Sequence, residues 1–459
     1  MKHTPKESTS TSMSPETWNK EDDFILHLYS PTNPLELGFE GLEQVLELIE
    51  SMDEELRPDR MYLTKRPQKY SRRTLRERFH LNRVGTGTGT ILARSRPPEV
   101  SVWINTFDGS VENVRFALKL RINPFSFVSR PEQASTLSGQ FVTLVRALAV
   151  RLPLSYGIGH SFTDFTMTRK PDAERVRIPQ RISEAFWLNV YGPTIVEALG
   201  RERVLSTPAS LMEELPGGAV LWLTRPTPAD FDSEEARTAQ ARALIHLRPE
   251  LSMETTLTTL RERSQVFVPI PLQFHPDVAE IIQKEVEFRG LLRKRQEVER
   301  FNRYRPPAVS EWLPVQQVPA PDVADMKAAV DTYEGLHAEQ LIALFHKEVP
   351  QVLQTIPEAL PTLDWRLWHF GWGEDLSADK KEALIPALGA WLGRYLVYKL
   401  GGRWVPRREL AETAVIVGDR AWLPFLRARH ALESRDAPLD FSCTQFFREA
   451  QRHARASSH

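Results

Sequence analysis

The chain has 459 residues, of which 41% are hydrophobic and 26% are charged, and its formal net charge is −1 at pH 7. This is ordinary composition for a globular protein of two or three domains, and it gives no overall field that would favour nucleic acid or an anionic membrane. The single cysteine, Cys443, excludes an internal disulfide framework and a zinc cluster built on cysteines.

Residues 1–22 are polar, rich in Ser and Thr, and lack the apolar core of a signal peptide. No run of about 20 apolar residues follows, so we expect no transmembrane helix. These features predict a disordered lead over residues 1–22 of a cytoplasmic protein that binds neither membrane nor nucleic acid.

The first folded region is predicted to have the order β-α-β-β-β-α-β. Apolar residues alternate with others along its first strand, and they recur every three or four residues in its helices. The predicted strands are Phe24–Ser30, Arg60–Lys65, Val100–Phe107, Val114–Ile122 and Leu154–Met167, and the predicted helices are Leu42–Met52 and Thr136–Leu152.

A second stretch of strands and helices completes this region, which we place at residues 23–254. Residues 185–200 read as a strand or turn followed by a helix, and residues 217–226 read as a strand. A helix over residues 230–249 is predicted to begin at Asp232, with Glu235 in the capping-box position.

Residues 255–322 are predicted to be a charged helix and a linker. The helix covers Pro276–Tyr304, and its basic run is interleaved with Glu297 and Glu299, which favours a solvated helix over a phosphate site. Arg305–Pro321 carries five prolines, so it can be neither a helix nor a central strand. We expect the domain boundary there.

The C-terminal region, residues 323–455, is predicted to be smaller and rich in helices, with one strand and turn near Ala414–Trp422. Its longest helix is predicted to be capped by Ser377 and to end at Gly401. Gly389 and Gly393 should allow another element to approach this helix closely. The predicted fold class is therefore α+β, with a mixed or antiparallel N-terminal sheet that carries helices on one face.

The glycines Gly85, Gly87 and Gly89 invite comparison with a phosphate-binding loop. A Walker loop needs a Lys after its last glycine, and a dinucleotide loop has a different glycine spacing. A phosphate loop must also lead into a helix, whereas Pro97-Pro98 follows here. We expect a flexible connection between strands and no nucleotide, cofactor or metal.

Two other groups could carry chemistry. His160 with Ser161 and Asp164 could form a nucleophilic set, but the chain has no G-x-S-x-G elbow, so a histidine at a strand end is the alternative. The segment Trp365–Asp375 could hold a general acid/base pair or an aromatic platform, or simply close a core. Its polar and aromatic candidates are Trp368, His369, Trp372, Glu374 and Asp375.

Residues from about 24 to 251 resemble a bacterial family of polymorphic-toxin immunity proteins, of the immunity protein 52 type. The resemblance rests on "VRFALKLRI", on the helix Ser135–Leu152 with "LSYGIGHSF" after it, and on "FWLNVYGPTIVEALGRERVL" with the strand and helix that follow. It implies a protein that binds and neutralises a cognate toxin, and it carries over no catalytic residue. The C-terminal region resembles an uncharacterised bacterial domain.

Two hypotheses follow from these observations. The first is a cytoplasmic immunity protein that binds its toxin stoichiometrically, with interface candidates among aromatic and acidic residues: Trp187, Tyr191, Asp230, Asp232 and Glu234. Trp187 and Tyr191 could instead be core residues, and the carboxylates could be ordinary charges at a helix N-terminus. The second hypothesis is an enzyme with its site near Trp368–Asp375, and passive scaffold modules are a third option.

Overall fold

A computed structural model describes residues 22–63, 66–81, 83–84, 87–111, 114–168, 182–287, 289–354, 356–369, 378–433 and 439–456. The chain forms two compact units, the first containing Met1–Ile270 and Gly290–Leu292, and the second containing Pro271–Arg289 and Arg293–His459. Both units combine an antiparallel sheet with helices, which confirms the α+β class. The division at Ile270 differs from the boundary expected in the proline-rich segment.

The first unit is built on one large sheet. Its strands are β1 Phe24–Ser30, β2 Arg60–Tyr62, β3 Gln68–Lys69, β4 Arg83–Val84, β5 Gly87–Ala93, β6 Glu99–Val111, β7 Val114–Asn123, β8 Tyr156–Ser161, β9 Leu188–Tyr191, β10 Leu211–Glu214 and β11 Val220–Leu223. They lie in the order β10-β11-β9-β8-β1-β7-β6-β5-β2-β3, and β4 pairs with β5. The central strand β1 pairs antiparallel with both β7 and β8.

Helices cover this sheet unequally. They are α1 Phe39–Glu50, α2 Arg72–Arg78, α3 Phe125–Val128, α4 Pro131–Arg151, α5 Phe162–Met167, α6 Pro193–Leu199, α7 Arg201–Leu205, α8 Glu234–Leu247 and α9 Met253–Ser264. On one face, Phe141 of α4 stacks on Phe24 of β1 with the ring centroids 4.7 Å apart. On the other face, Leu244 of α8 packs in a core cluster with Tyr191 and Trp222.

Two predicted boundaries in the first unit shift because serine side chains cap helices there. The strand predicted to Met167 ends at Ser161, whose hydroxyl accepts a hydrogen bond from the Asp164 backbone N–H at 3.0 Å and starts α5. Helix α8 begins at Glu234, and its cap is Ser233 rather than Asp232, since the Ser233 hydroxyl accepts from Ala236 N–H.

The second unit has a smaller sheet and more helix. Its strands are β12 Trp312–Pro314, β13 Arg403–Val405, β14 Ala414–Val417 and β15 Arg420–Trp422, in the order β12-β15-β14-β13. Its helices are α10 Ala279–Glu287, α11 Leu291–Arg303, α12 Met326–Asp331, α13 Ala338–Phe345, α14 Ala359–His369, α15 Ala378–Leu400, α16 Pro424–Glu433 and α17 Cys443–Ala456, with a π-helical turn at Thr332–His337 between α12 and α13.

The charged helix and the proline-rich segment differ from their predictions. The helix is divided into α10 and α11, with Gly290, a weak helix former, between them. The proline-rich segment contributes the edge strand β12, which pairs with β15. It is further held by the Gln445 amide, which donates to the Pro307 carbonyl at 2.6 Å, and by Arg427, which pairs with buried Glu311. These contacts make it part of the second unit.

The two glycines of α15 allow the close approach that their spacing predicted. A Cβ atom on Gly389 would lie 2.5 Å from the Phe425 ring, and one on Gly393 would lie 2.1 Å from the Trp404 ring. Trp404 and Phe425 therefore pack directly on the helix backbone.

Candidate functional site

One side of the first unit's sheet is only partly covered. Along β1, β6 and β7, every second side chain is buried under the helices, while most of those between them are half-exposed. We define the open face as this half-exposed side of five neighbouring strands, β2, β5, β6, β7 and β1. Its polar and aromatic residues are Arg60, Tyr62, Trp103, Asn105, Lys119, Arg121, His27 and Tyr29.

Strand register places Trp103 at the centre of the open face. Trp103 lies directly opposite Ile91 on one neighbouring strand and Lys119 on the other. The same row continues to Tyr62 beyond Ile91 and to His27 beyond Lys119. The indole of Trp103 therefore lies among aliphatic, aromatic and cationic neighbours, and it is half-buried. Such a position can be covered further by a partner without loss of a hydrogen bond within the sheet.

Cations of this side of the sheet are held by carboxylates and aromatic rings. The Arg121 Nε donates to Asp23 Oδ2 at 2.6 Å, and its guanidinium lies 4.6 Å from the centroid of the Phe162 ring. Arg115, at the end of β7, forms an ion pair with Glu36. Lys119 Nζ lies 5.8 Å from the Tyr29 ring centroid. These contacts restrain the cationic side chains on this side of the sheet.

The open face ends where α8 begins to cover the sheet. Tyr191 and Trp222 lie on the same side as Tyr29, because Tyr29 pairs with Tyr156 and Tyr156 pairs with Tyr191. Both are fully buried against Ala243 and Leu247 of α8. The same side of the sheet is thus closed over β9 and β11 and open over β5, β6 and β7.

His160, Ser161 and Asp164 belong to a buried polar network and not to an accessible site. His160 Nδ1 lies 3.4 Å from the Trp187 backbone N–H, and its Nε2 lies 2.7 Å from Asp164 Oδ2. The backbone N–H can only donate, so Nδ1 accepts and Nε2 donates to Asp164. Burial lowers the pKa of His160, which keeps the imidazole neutral. Both ring nitrogens are therefore occupied.

Asp164 is the charged centre of this network. Arg237 donates to both of its oxygens, at 2.8 and 3.0 Å, and Arg263 lies 3.3 Å away. Burial alone would raise the pKa of Asp164, but the hydrogen bond from His160 and the two guanidinium charges outweigh it and hold that pKa well below its usual range. A buried, paired carboxylate of this kind fixes α5 and α8 on the sheet.

The two aromatic candidates Trp187 and Tyr191 are core residues. Trp187 is 3% exposed and Tyr191 is 1% exposed. The Trp187 indole N–H donates to the Arg225 carbonyl at 3.0 Å, while Tyr191 packs edge-on against Trp222. Neither ring can reach a partner from these positions, so neither supplies a surface anchor.

The acidic candidates lie in the loop before α8 and at the first residue of that helix. Asp230 is exposed and has a positive φ of 49°, and its carbonyl accepts from Arg225 Nη1 at 2.9 Å. Asp232 is half-buried, and burial raises its pKa. Glu234 is exposed and pairs with Arg261. Of these three carboxylates, Glu234 is thus paired with a cation, Asp232 is half-buried and Asp230 is exposed, and these positions stay a prediction.

The second group of candidates lies mostly outside the described residues. Trp368 is half-buried in α14, with its ring edge-on to Phe301 at 5.7 Å. His369 ends α14, and its side chain is outside the described part. Trp372, Glu374 and Asp375 are also outside it.

The glycine stretch lies within the sheet where it is described. Gly87 and Gly89 belong to β5 and pair with Phe107 and Asn105 of β6. A Cβ on Gly87 would lie 1.9 Å from the Thr106 carbonyl oxygen. The glycines therefore serve close strand pairing, which corrects the expectation of a flexible connection. Gly85 is outside the described residues.

Within the described ranges, no group of three or more His, Cys, Asp or Glu side chains could hold a metal ion. No helix in those ranges is long and apolar enough to cross a membrane.

The sequence interpretation missed the open face, although β6 and β7 carried a signal. In both strands, residues at alternating positions are large, polar or cationic, as Trp103, Lys119 and Arg121 are.

Comparison of the chain with protein-family models, with curated proteins and with solved structures gives no match.

Proposed function

We propose that the protein acts by binding a partner protein one to one, and that this partner is a bacterial toxin neutralised in the cytoplasm of the producing cell. The observation that carries the proposal is the open face, a half-exposed sheet surface with Trp103 at its centre. The resemblance of residues 24–251 to immunity proteins supports the choice of a toxin as the partner.

The composition of the open face is that of a binding surface. Binding energy in protein interfaces is concentrated in a few residues, most often Trp, Tyr and Arg. The open face carries Trp103 on β6, and Tyr62 and Arg60 on β2, with β5 between these two strands. The attraction between a cation and an aromatic ring, such as Lys119 and Tyr29, strengthens when a partner excludes water from the pair, and this offsets part of the cost of desolvating the cation.

The open face is also large enough to form the centre of a protein–protein interface. Five strands spaced about 4.8 Å apart and nine residues of β6 span roughly 19 by 27 Å, or about 500 Å² in projection. A standard interface covers about 800 Å² of each partner, so the open face would supply the centre and its margins the rest.

The test replaces the central residue. We expect Trp103→Ala to weaken binding of the toxin by about 30-fold or more, which corresponds to about 2 kcal/mol, because a central Trp is removed from the interface. Binding is measured by calorimetry with the product of the reading frame adjacent to this protein's gene, and protection is measured by growth on co-expression. A one-to-one stoichiometry and protection that scales with the molar ratio are expected.

A matched control is Tyr398→Ala, which removes an exposed aromatic ring from the second unit. We expect it to bind as the wild type does. Equal binding by Trp103→Ala and wild type, with circular dichroism unchanged, would exclude the open face as the toxin site.

The enzyme hypothesis is tested separately. We expect a combined His369→Ala, Glu374→Gln and Asp375→Asn variant to protect fully, because a stoichiometric binder needs no acid or base from this segment. Loss of protection by a folded triple variant, or full protection at strongly substoichiometric amounts, would favour an enzyme instead.

A further inference from the structure

One short stretch of the first unit carries a large excess of positively charged side chains. Residues 57–96 contain twelve Lys and Arg against two Asp and Glu, in a chain whose net charge is −1. The stretch supplies strands β2, β3, β4 and β5, which form one end of the sheet and include two strands of the open face, and it also supplies helix α2. The chain as a whole is therefore nearly neutral, but this end of the sheet is strongly basic.

Two of these cations oppose each other at the sheet edge. Arg60 of β2 and Lys69 of β3 are directly paired in register, both are exposed, and neither forms an ion pair with a described residue. Like charges directly opposite each other destabilise a strand pair. An anion placed over Arg60 and Lys69 would relieve that repulsion.

Neither of the two carboxylates of the stretch forms an ion pair with Arg60 or Lys69. Asp59 accepts hydrogen bonds from the backbone N–H and the hydroxyl of Ser95, at 2.9 and 2.5 Å. Glu77 pairs with Arg73, its neighbour along α2. Arg60 and Lys69 share one side of the sheet with Arg121 and, one row on, with Lys119. The positive edge is thus continuous with the open face.

From this charge distribution we infer that the partner presents an acidic segment, whose carboxylates lie over Arg60 and Lys69 while its apolar part covers Trp103. The inference rests on the proposed function, since it names the chemistry of the partner that the open face binds. The positive edge adds association rate and orientation to the contact at Trp103.

Carboxylates fit this surface better than the phosphates of a nucleic acid. Arginines on this side of the sheet already hold carboxylates: Arg121 donates to Asp23 at 2.6 Å, and Arg115 forms an ion pair with Glu36. Among the described residues, this side of the sheet therefore offers a pair of cations at its edge, Arg60 and Lys69, rather than the continuous positive track that a nucleic-acid backbone with a charge every few ångströms would follow.

The test measures binding of a labelled polyglutamate peptide of about 20 residues by fluorescence anisotropy, at about 0.01 M and about 0.15 M salt. We expect binding that weakens with salt. The double variant Arg60→Glu/Lys69→Glu should weaken it at least about tenfold. The control is Lys327→Glu/Arg403→Glu, which makes the same charge change at exposed residues of the second unit and should bind within about twofold of the wild type.

Three results would overturn the inference: no binding of polyglutamate at low salt, an equal loss in both double variants, or tighter binding of a single-stranded oligonucleotide of the same charge. The last would identify a nucleic-acid surface. If the toxin binds through Trp103 but polyglutamate does not bind, the inference fails and the proposed function stands. If polyglutamate binds at Arg60 and Lys69 but no toxin is bound, the acidic preference stands without the toxin.

Discussion

At the residue scale, Asp22 is a buried carboxyl held by the start of α5. Its Oδ1 accepts from the backbone N–H and the hydroxyl of Thr163, at 3.1 and 2.7 Å, and its Oδ2 accepts from the Ser161 hydroxyl at 2.5 Å. Burial raises the pKa of Asp22 to about 6, although these hydrogen bonds lower it. Loss of water around the charged form therefore outweighs its three hydrogen bonds.

The raised pKa predicts a pH dependence of stability. Between the ordinary pKa and about 6, the folded state holds a proton that the unfolded state has lost, so this contribution to stability is full at low pH and is lost as the pH rises. From about pH 4 to about pH 7, the wild type should lose on the order of 2 to 3 kcal/mol of unfolding free energy relative to Asp22→Asn. Urea denaturation of both proteins at several pH values across this range measures the difference in unfolding free energy.

The control for this prediction is Thr163→Val, which removes a hydrogen bond that favours the charged carboxylate. It should extend the loss of stability to higher pH, since the pKa of Asp22 would rise further. Parallel stability curves for the wild type and Asp22→Asn would show that the carboxyl carries no such dependence.

At the element scale, β5 and β6 show why a glycine-rich run need not bind phosphate. The Gly87 and Gly89 backbones approach β6 so closely that any side chain would meet it: a Cβ on Gly89 would lie 2.3 Å from Asn105 Oδ1. The run continues into a strand and not into a helix, so no set of helix N-terminal amides faces an anion.

This geometry predicts the behaviour of Gly87→Val. The valine side chain would meet the Thr106 carbonyl, so the variant should lose at least about 1–3 kcal/mol of unfolding free energy through disrupted pairing of β5 and β6. Calorimetric titration of the wild type with ATP, GTP and NAD should show no heat of binding. Micromolar nucleotide binding that disappears in a folded Gly87→Val variant would contradict the strand interpretation.

At the scale of the whole molecule, the boundary between units follows tertiary contacts and not proline content. Helix α9 belongs to the first unit, where Arg263 pairs with Asp164, although residues 255–264 were assigned to the linker. The proline-rich segment belongs to the second unit through β12 and through Glu311, whose carbonyl accepts from Leu423 N–H at 2.9 Å. Proline limits a strand to a sheet edge, and β12 is such an edge.

Limited proteolysis tests this assignment. Residues 305–321 should stay in the same protected fragment as β15, because cleavage needs local unfolding and β12 is hydrogen-bonded to β15. Mass spectrometry of native digests with a broad-specificity protease identifies the fragments. Early cleavage inside residues 305–321 that separates them from β15 would instead support a linker.

Local sequence patterns were enough to predict these secondary-structure elements and part of their packing. Alternation in β1, β6 and β7, the helical stripe of α1 and the spacing of Gly389 and Gly393 each follow from neighbouring residues, because side-chain direction repeats with the backbone period. From these the sequence by itself determined the α+β class and the close approach to α15.

Only the tertiary structure decided which surfaces stay open. The Asp22 carboxyl meets the Ser161 hydroxyl 139 residues away, and β1 lies between β7 and β8, so strand order depends on contacts that no local pattern contains. Tyr191 and Trp103 are both aromatic residues in apolar strands, yet α8 buries Tyr191 and stops short of Trp103. The sequence identifies aromatic candidates, but their burial depends on which helix packs over which strand. That packing leaves Trp103 partly exposed to solvent.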